Sequence, residues 1–272
     1  ESICKMKLSI CNLPNEKIKK GIKKVNINSI KNSIKSTQEK LKDFRERGIK
    51  FGEGVGISEN LKQRIITAAI LVPFVIVLLY SSVFLFNGLI LLIAVLMALE
   101  WHEITKKGED KKFWLILGLC YVIIPSLLLM TLRDVRNGAD IILWMFAIVW
   151  GTDTAAYFVG KNIGGPQLAP KISPNKTWSG LFGGIFASMV IGFIGGLFFE
   201  GSIRFFIFFS GFLAIVEQIG DLFESKIKRK FNVKESGTVI PGHGGILDRV
   251  DGLLFVVPIV ILIVWLGGER VF

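Results

Sequence analysis

Residues 65–86 read IITAAILVPFVIVLLYSSVFLF, a run without a single charged side chain. A helix needs about 20 apolar residues to cross the hydrocarbon core of a bilayer. The chain of 272 residues is 51% hydrophobic and only 20% charged, with a mean hydropathy of +0.55. This composition argues against a soluble enzyme, a disordered chain and a disulfide scaffold. It predicts a polytopic membrane protein.

Six further apolar segments follow along the chain. The seven together predict an all-α, polytopic transmembrane helix bundle with about seven spanning helices. The first two segments are expected to form a hairpin that turns between residues 81 and 88. In order, the predicted spans are 65–86, 89–104, 114–132, 141–160, 181–199, 205–222 and 252–268.

The charge of the chain divides it into two parts. Residues 1–60 contain 14 Lys and Arg against 7 Asp and Glu, within a net charge of +11 for the whole chain. This basic arm is either one or two amphipathic helices on the membrane face or a solvated, partly disordered segment. Anionic lipid headgroups are a nearer partner for it than nucleic acid. Residues 61–272 form the transmembrane domain, with candidate catalytic loops at 161–180 and 223–251.

The distribution of positive charge predicts the orientation, because Lys and Arg accumulate in cytoplasmic loops. With the N-terminus in the cytoplasm, 29 of the 33 Lys and Arg residues fall on the cytoplasmic side and 4 on the other. We therefore expect a multi-pass protein of the inner cell membrane with its N-terminus inside and its C-terminus outside. Both candidate loops would then face the cytoplasm.

Acidic residues inside the predicted spans indicate where chemistry could occur. Asp153 lies in the fourth segment, and Glu217 and Asp221 lie in the sixth. A carboxylate that faces lipid at mid-bilayer costs roughly 2.5–3.5 kcal/mol, so we expect these acids to face a polar interior, a cation or water. Spacing by three or four residues extends the pattern along one helix face. Its members are Glu217, Asp221, Glu224 or Ser225, and Lys228. A satisfied polar network is the alternative interpretation.

The stretch 225–251 reads SKIKRKFNVKESGTVIPGHGGILDRVD and combines several features of a phosphate site. A basic run comes first, then the turn-forming residues 241–245, then Asp248 and Asp251 at the start of the last helix. Glycines let the backbone approach a phosphate closely, and a helix N-terminus presents free N–H groups to an anion. Carboxylates beside a phosphate need a divalent cation between them, and oxygen ligands suit Mg²⁺. The alternative is an ordinary turn beside a solvated lysine face.

The loop before the fifth segment carries a second basic patch, KISPNKTW at 171–178. Thr177 or Ser173 either caps the following helix or contacts a ligand. Trp178 is either an interfacial anchor or a ligand contact. In the other loop, His243 either binds a phosphate or holds the turn.

Small residues recur every four positions in the fifth segment, at Gly184, Ser188, Gly192 and Gly196. Small residues on one face let a neighbouring helix approach closely. This spacing predicts helix packing within the subunit rather than a catalytic role.

Two separated blocks of the sequence resemble the phosphatidate cytidylyltransferase, or CDP-diacylglycerol synthase, family. The first block reads W-G-x-D over 150–153, A-Y at 156–157 and S-P-x-K-T-W over 173–178. The second reads S-x-I-K-R-x4-K over 225–234 and H-G-G-x2-D-R-x-D over 243–251. The resemblance covers most of 62–265.

The resemblance implies a multi-helix, dimeric enzyme that joins phosphatidate to CTP and yields CDP-diacylglycerol and pyrophosphate. By analogy with the metal-binding acids of the family, Asp221 and Asp248 would hold Mg²⁺, with a monovalent cation such as K⁺ nearby. The implied catalytic residues are Asp221, Asp248, Asp251, Lys228, Arg229 and His243. The implied substrate-binding residues are Asp153, Lys171, Ser173, Lys176, Thr177, Lys234, Gly244, Gly245 and Arg249.

The sequence departs from the family pattern at two motif positions. Glu235 stands where Asp usually follows the lysine, and Ser179 stands where an acidic or amide residue is usual. Seven segments are also fewer than the eight or nine of better-known bacterial members.

Two rival functions remain open on the sequence. One is a related CTP-dependent kinase or cytidylyltransferase that acts on another lipid or an isoprenoid. The other is a cation-coupled transporter, which the intramembrane acids suggest.

Overall fold

The computed structural model describes residues 72–106, 108–237, 244–267 and 272, and these are largely helical. The basic arm predicted at 1–60 lies outside the described residues. Helices and strands follow in the order α1 Val72–Ser81, α2 Val83–Thr105, α3 Lys111–Asp134, α4 Gly138–Ile163, β1 Gln167–Ala169, β2 Ser173–Thr177, α5 Trp178–Gly195, α6 Ile203–Lys230 and α7 Leu247–Gly267. Six of these helices, α2 to α7, are long and apolar enough to cross a membrane. The prediction of a polytopic helix bundle is confirmed.

The first two predicted segments are separated by a short break. α1 ends at Ser81 and α2 begins at Val83, so the break falls within the predicted window but α2 starts earlier than residue 89. Ser82 has extended backbone angles, and its hydroxyl accepts a hydrogen bond of 3.2 Å from the backbone N–H of Phe84. A serine in this position caps the new helix and fixes where it begins. Residues 65–71 lie outside the described part of the chain.

Polar caps also begin two later helices. The side chain of Asp110 accepts from the N–H of Phe113 at 3.0 Å at the start of α3. The hydroxyl of Thr177 accepts from the N–H of Gly180 at 3.1 Å at the start of α5. Of the two roles that the sequence left open for Thr177, capping is therefore observed.

The loop between α4 and α5 contains a small antiparallel hairpin that the sequence did not predict. Gln167 pairs with Thr177, and Ala169 pairs with Ser173. After α4, Gly164 and Gly165 have φ values of 67° and 110°, a backbone region that residues with a Cβ rarely adopt. These two glycines turn the chain so that β1 and β2 can pair beside the end of α6.

The small residues of α5 pack against two helices, as predicted. Gly184, Ser188 and Gly192 are buried. A Cβ added at Gly184 would lie 2.9 Å from Cγ2 of Thr152 on α4, and one added at Gly192 would clash with α6. The hydroxyls of Ser188 and Thr152 lie 2.6 Å apart. These residues let α5 sit closely between α4 and α6.

Polar loops and helix ends gather at one end of the bundle. The ring of Trp114, at the start of α3, contacts that of Phe231 after α6 at a centroid distance of 5.0 Å. The guanidinium of Arg229 donates to the backbone oxygen of Ile172, in the turn between β1 and β2. The ends of α2 and α6, the beginnings of α3 and α7 and the hairpin therefore meet at this end, which we call the loop end.

Candidate active site

The end of α6 and the beginning of α7 are joined through a buried lysine. Nζ of Lys228 lies 2.5 Å from Oδ1 of Asp248 and 2.9 Å from Oε2 of Glu224. Glu224 is only 1% exposed. Because a buried charge is costly unless it is paired, this arrangement neutralises part of the negative charge where the two helices meet.

The second carboxylate oxygen of Asp248 is bound by the loop that precedes α7. Oδ2 accepts from the backbone N–H of Ser236 at 2.9 Å and from that of Gly245 at 3.0 Å. Asp248 thus contacts both ends of the loop and α6 at once. The N–H of Gly245, which the sequence suggested could face a phosphate, donates to the protein itself.

Glu100 on α2 is a site residue that the sequence analysis missed. Its carboxylate is 4% exposed and accepts from the N–H groups of Ile246 and Leu247, each at 2.9 Å, and from the hydroxyl of Ser236 at 3.1 Å. The expectation that α7 begins with free N–H groups is therefore wrong at these two positions, because Glu100 occupies them. The signal that could have identified Glu100 is the one that selected Asp153, a carboxylate within an apolar segment.

A second lysine approaches the same acids from the hairpin. Lys176 forms an ion pair with Asp221 and donates to Oε1 of Gln218 at 2.9 Å. Asp221 also accepts from the hydroxyl of Ser225 at 3.2 Å. The structure thus joins the two loops that the sequence marked, since Lys176 comes from one and Asp221 lies directly before the other.

Four acidic side chains approach each other in two pairs. Asp153 on α4 lies close enough to Glu217 on α6 to interact with it, and Glu224 on α6 lies close enough to Asp251 on α7. Glu217 is 1% exposed and also accepts from the side chain of Gln218 at 2.9 Å. Neighbouring carboxylates repel each other when both are charged, so a cation close to them would stabilise this arrangement. Of the predicted acidic face of α6, Glu217 and Glu224 are buried and Asp221 is half-buried.

Glycines allow α6 and α7 to come close at these acids. A Cβ on Gly220 would lie 2.8 Å from the backbone oxygen of Asp251, and one on Gly252 would lie 2.7 Å from Cγ of Glu217. A larger side chain at either position would push the helices apart. The spacing of the acids on the two helices therefore depends on these glycines.

The other predicted residues lie around this centre. Lys171 and Lys234 are exposed, and Ser173 begins β2. Arg249 is exposed and lies close enough to Asp153 to interact electrostatically. Gly244 has a φ of 79°, which favours glycine. His243 lies outside the described residues, so its role stays a prediction.

The donor set of this site fits a hard cation such as Mg²⁺. Six carboxyl groups, which we call the acidic cluster, lie around two buried or half-buried lysines, Lys176 and Lys228. They are Asp153, Glu217, Asp221, Glu224, Asp248 and Asp251. Oε1 of Glu224 is buried and has no hydrogen-bond partner among the described residues. Oxygen-rich sites with unsatisfied acceptors suit Mg²⁺.

No three acidic, histidine or cysteine side chains within 72–106, 108–237 and 244–267 form a complete metal site. Asp221 and Asp248 are each paired with a lysine rather than with each other. Mg²⁺ commonly binds through one or two carboxylates and completes its shell with water and substrate phosphates. The described residues are compatible with that mode of binding.

An acidic cluster within membrane helices, with one lysine from the hairpin and one from the last turn of α6 beside it, is suited to bringing a cation and phosphate groups together at a membrane surface. These features define a class, a membrane-embedded enzyme of phosphate chemistry. Comparison with known proteins agrees with this class. Residues 109–266 match the model of the cytidylyltransferase family.

Individual relatives give the same result. The chain is 42% identical over 213 residues to the phosphatidate cytidylyltransferase of Rickettsia bellii. This alignment covers 75% of this chain and 90% of the Rickettsia protein. It is 38% identical over 215 residues to the enzyme of the same name from Rickettsia felis, with 75% and 92% covered. For the Brucella suis protein of that name the identity is 45% over 163 residues, with 59% and 58% covered. This chain belongs to the cytidylyltransferase family.

Proposed function

We propose that this protein transfers the cytidylyl group of CTP to phosphatidate, giving CDP-diacylglycerol and pyrophosphate for phospholipid synthesis. The relatives in Rickettsia and Brucella carry the name of this activity. The observation that supports it most directly is the acidic cluster at the loop end, which is approached by Lys176 from the hairpin and by Lys228 from the last turn of α6. A charged lipid and a nucleotide could meet there without the acyl chains leaving the bilayer.

Asp221 and Asp248 are the proposed ligands of Mg²⁺, and a monovalent cation such as K⁺ is proposed nearby. When bound, Mg²⁺ would neutralise negative charge on the triphosphate. Lys176 and Lys228 now pair with these two aspartates, so they also lie where they could bind phosphate oxygens. Glu224 would help to hold the two helices that carry the ligands in register, because it pairs with Lys228, which also pairs with Asp248. Asp251, which faces Glu224 from α7, is a further proposed catalytic residue.

The residues of the chain bind and orient the reactants. An oxygen of the phosphatidate phosphate forms a bond to the α-phosphorus of CTP, the bond from that phosphorus to the bridging oxygen breaks, and pyrophosphate leaves. The attacking oxygen is already anionic at neutral pH, so no side chain is required as a general base. Basic side chains of the two loops are proposed to bind the phosphates, namely Lys171, Lys176, Arg229, Lys234 and Arg249. Ser173, Gly244, Gly245 and His243 are further proposed contacts.

The membrane setting follows from the helices, and the orientation is part of the proposal. We place the loop end in the cytoplasm because 29 of the 33 Lys and Arg residues are then on the cytoplasmic side. CTP would enter from the cytoplasm, and phosphatidate would enter sideways from the inner leaflet. A homodimer is the proposed assembly.

The test is to incubate the purified protein with labelled CTP, phosphatidate and Mg²⁺ and to identify the products. CDP-diacylglycerol and pyrophosphate are expected. The Asp248→Asn variant should lose at least about 99% of the turnover. The Glu109→Gln variant, which changes an exposed acid between α2 and α3, should keep full turnover. Lipid phosphate and CDP would instead indicate a kinase, and solute flux into liposomes without nucleotide would indicate a transporter. Either result would overturn the proposal.

A further inference from the structure

The loop that precedes α7 is held at both ends by a residue from a distant helix. Glu100 accepts hydrogen bonds from Ser236 at one end and from Ile246 and Leu247 at the other. We call this set of contacts the Glu100 clasp. It connects α2 to residues 136 to 147 positions further along the chain.

The clasp shares its loop with Asp248. The backbone N–H of Ser236 donates to Oδ2 of Asp248, while the hydroxyl of the same residue donates to Glu100. Gly245 donates its N–H to Asp248, and its two successors donate theirs to Glu100. Two carboxylates therefore share the polar groups of residues 236 and 245–247, at the two ends of the loop, and the position of one carboxylate depends on the other.

Burial and steric fit show that the clasp is a tightly packed feature. Glu100 is 4% exposed, so its charge must be compensated by the three donors and by the positive end of the α7 dipole. A Cβ on Gly237 would lie 2.7 Å from Oε1 of Glu100, and one on Gly245 would lie 2.6 Å from Oε2. Glycine at these two positions lets the loop backbone reach the carboxylate.

We propose that Glu100 is a positioning residue of the cytidylyl transfer: it fixes the loop so that Asp248 keeps Oδ2 on the loop amides and directs Oδ1 into the acidic cluster. This inference rests on the proposed function for its kinetic consequence. The clasp itself is a matter of structure and can be tested without substrate. Glu100 does not touch the reactants and acts only through Asp248.

Glu100→Gln is the informative variant, because it keeps the volume but places an NH₂ group against backbone N–H donors. In hydrogen exchange, we expect the amides of 245–247 to exchange at least about tenfold faster, with little change in α4 and α5. In kinetics, we expect turnover to fall about 10- to 100-fold and the half-saturating CTP concentration to rise about tenfold, as for residues that orient a metal ligand. A role in folding alone would lower the active fraction and leave the half-saturating concentration unchanged.

The matched control is Glu103→Gln, one turn further along α2. Glu103 is exposed and pairs only at the surface with Lys106, so exchange and kinetics should match those of the unchanged protein. If Glu100→Gln fails to fold, Ser236→Ala removes only one donor of the clasp and should raise the half-saturating CTP concentration about threefold. Exchange and kinetics like those of the parent in either variant would overturn the inference. If the parent protein formed no CDP-lipid, the proposed function would be wrong. The hydrogen-exchange comparison would still show whether Glu100 holds the amides of 245–247.

Discussion

Nζ of Lys228 and Oδ1 of Asp248 lie 2.5 Å apart, and the two side chains are 11% and 12% exposed. This ion pair ties the last turn of α6 to the first turn of α7. Replacing the lysine by methionine leaves Glu224 and Asp248 without their shared cation. Loss of one partner of a buried pair costs about 3–5 kcal/mol.

We therefore expect Lys228→Met to lower the midpoint of thermal unfolding in detergent by several degrees and to abolish CDP-lipid formation. Lys226→Met is the control, since Lys226 is exposed on the same turn. An unfolding midpoint equal to that of the parent would contradict the structural role of Lys228.

Lys176 is the second cation of the acidic cluster, and it is reached from the hairpin rather than from a helix. Lys176→Gln should reduce turnover by about 100-fold, because it removes the charge that faces Asp221 and a proposed phosphate contact. Stability should change little, since both side chains are partly exposed. Steady-state kinetics and a thermal melt measure the two effects separately. The control is Lys161→Gln, because the ammonium group of Lys161 lies over the ring of Tyr157 on α4. Full activity of Lys176→Gln would show that Lys176 does not bind a phosphate.

Gly220 controls the distance between α6 and α7. Gly220→Ala places a methyl group 2.8 Å from the backbone oxygen of Asp251. The backbone of α7 cannot easily move away to relieve this contact. Overpacking of this kind costs about 1–3 kcal/mol, and the shifted acids should lower turnover at least about tenfold. Gly88→Ala, where the added methyl group meets nothing within 4 Å, should leave both stability and turnover intact. Equal behaviour of the two variants would show that the close approach is unimportant.

We expect the activity to require a divalent metal ion that Asp221 helps to bind. Removing metal with EDTA should stop pyrophosphate release, and added Mg²⁺ should restore it. In Asp221→Asn, the Mg²⁺ concentration at half-maximal rate should rise by at least about tenfold, because a carboxylate ligand becomes a neutral amide. Glu200→Gln is the control, since Glu200 pairs with Arg136 at the exposed surface away from the loop end. A Mg²⁺ dependence unchanged by Asp221→Asn would remove that residue from the proposed metal site.

The sequence was sufficient for much of the fold because membrane helices are specified locally. Apolar runs predicted α2 to α7, and the spacing of small residues predicted how α5 packs. The three- and four-residue spacing on α6 placed Glu217, Glu224 and Lys228 on one face, and all three are buried. Each of these features depends on residues close together in a single helix, so the sequence of that helix is enough to predict it.

The missed features depend on pairs of distant residues. Glu100 stands 146 positions before the amide of Ile246 that it binds, and no local pattern connects them. The hairpin was missed because its strands have only 3 and 5 residues, and the longer strand contains a proline and polar side chains rather than an alternating apolar pattern. The amides at the start of α7 were expected to be free because their acceptor, Glu100, lies on a different helix and does not belong to any local sequence pattern of α7.

The position of Glu100 has a consequence for how the boundaries of the catalytic unit are drawn. The region shared with the family model begins at residue 109, after α2 has ended. A fragment cut to that region would retain every member of the acidic cluster and both lysines, yet the amides of Ile246 and Leu247 would lose their acceptor. If Glu100 positions Asp248 as proposed, the smallest complete catalytic unit reaches back into α2, which lies outside the region matched by the family model.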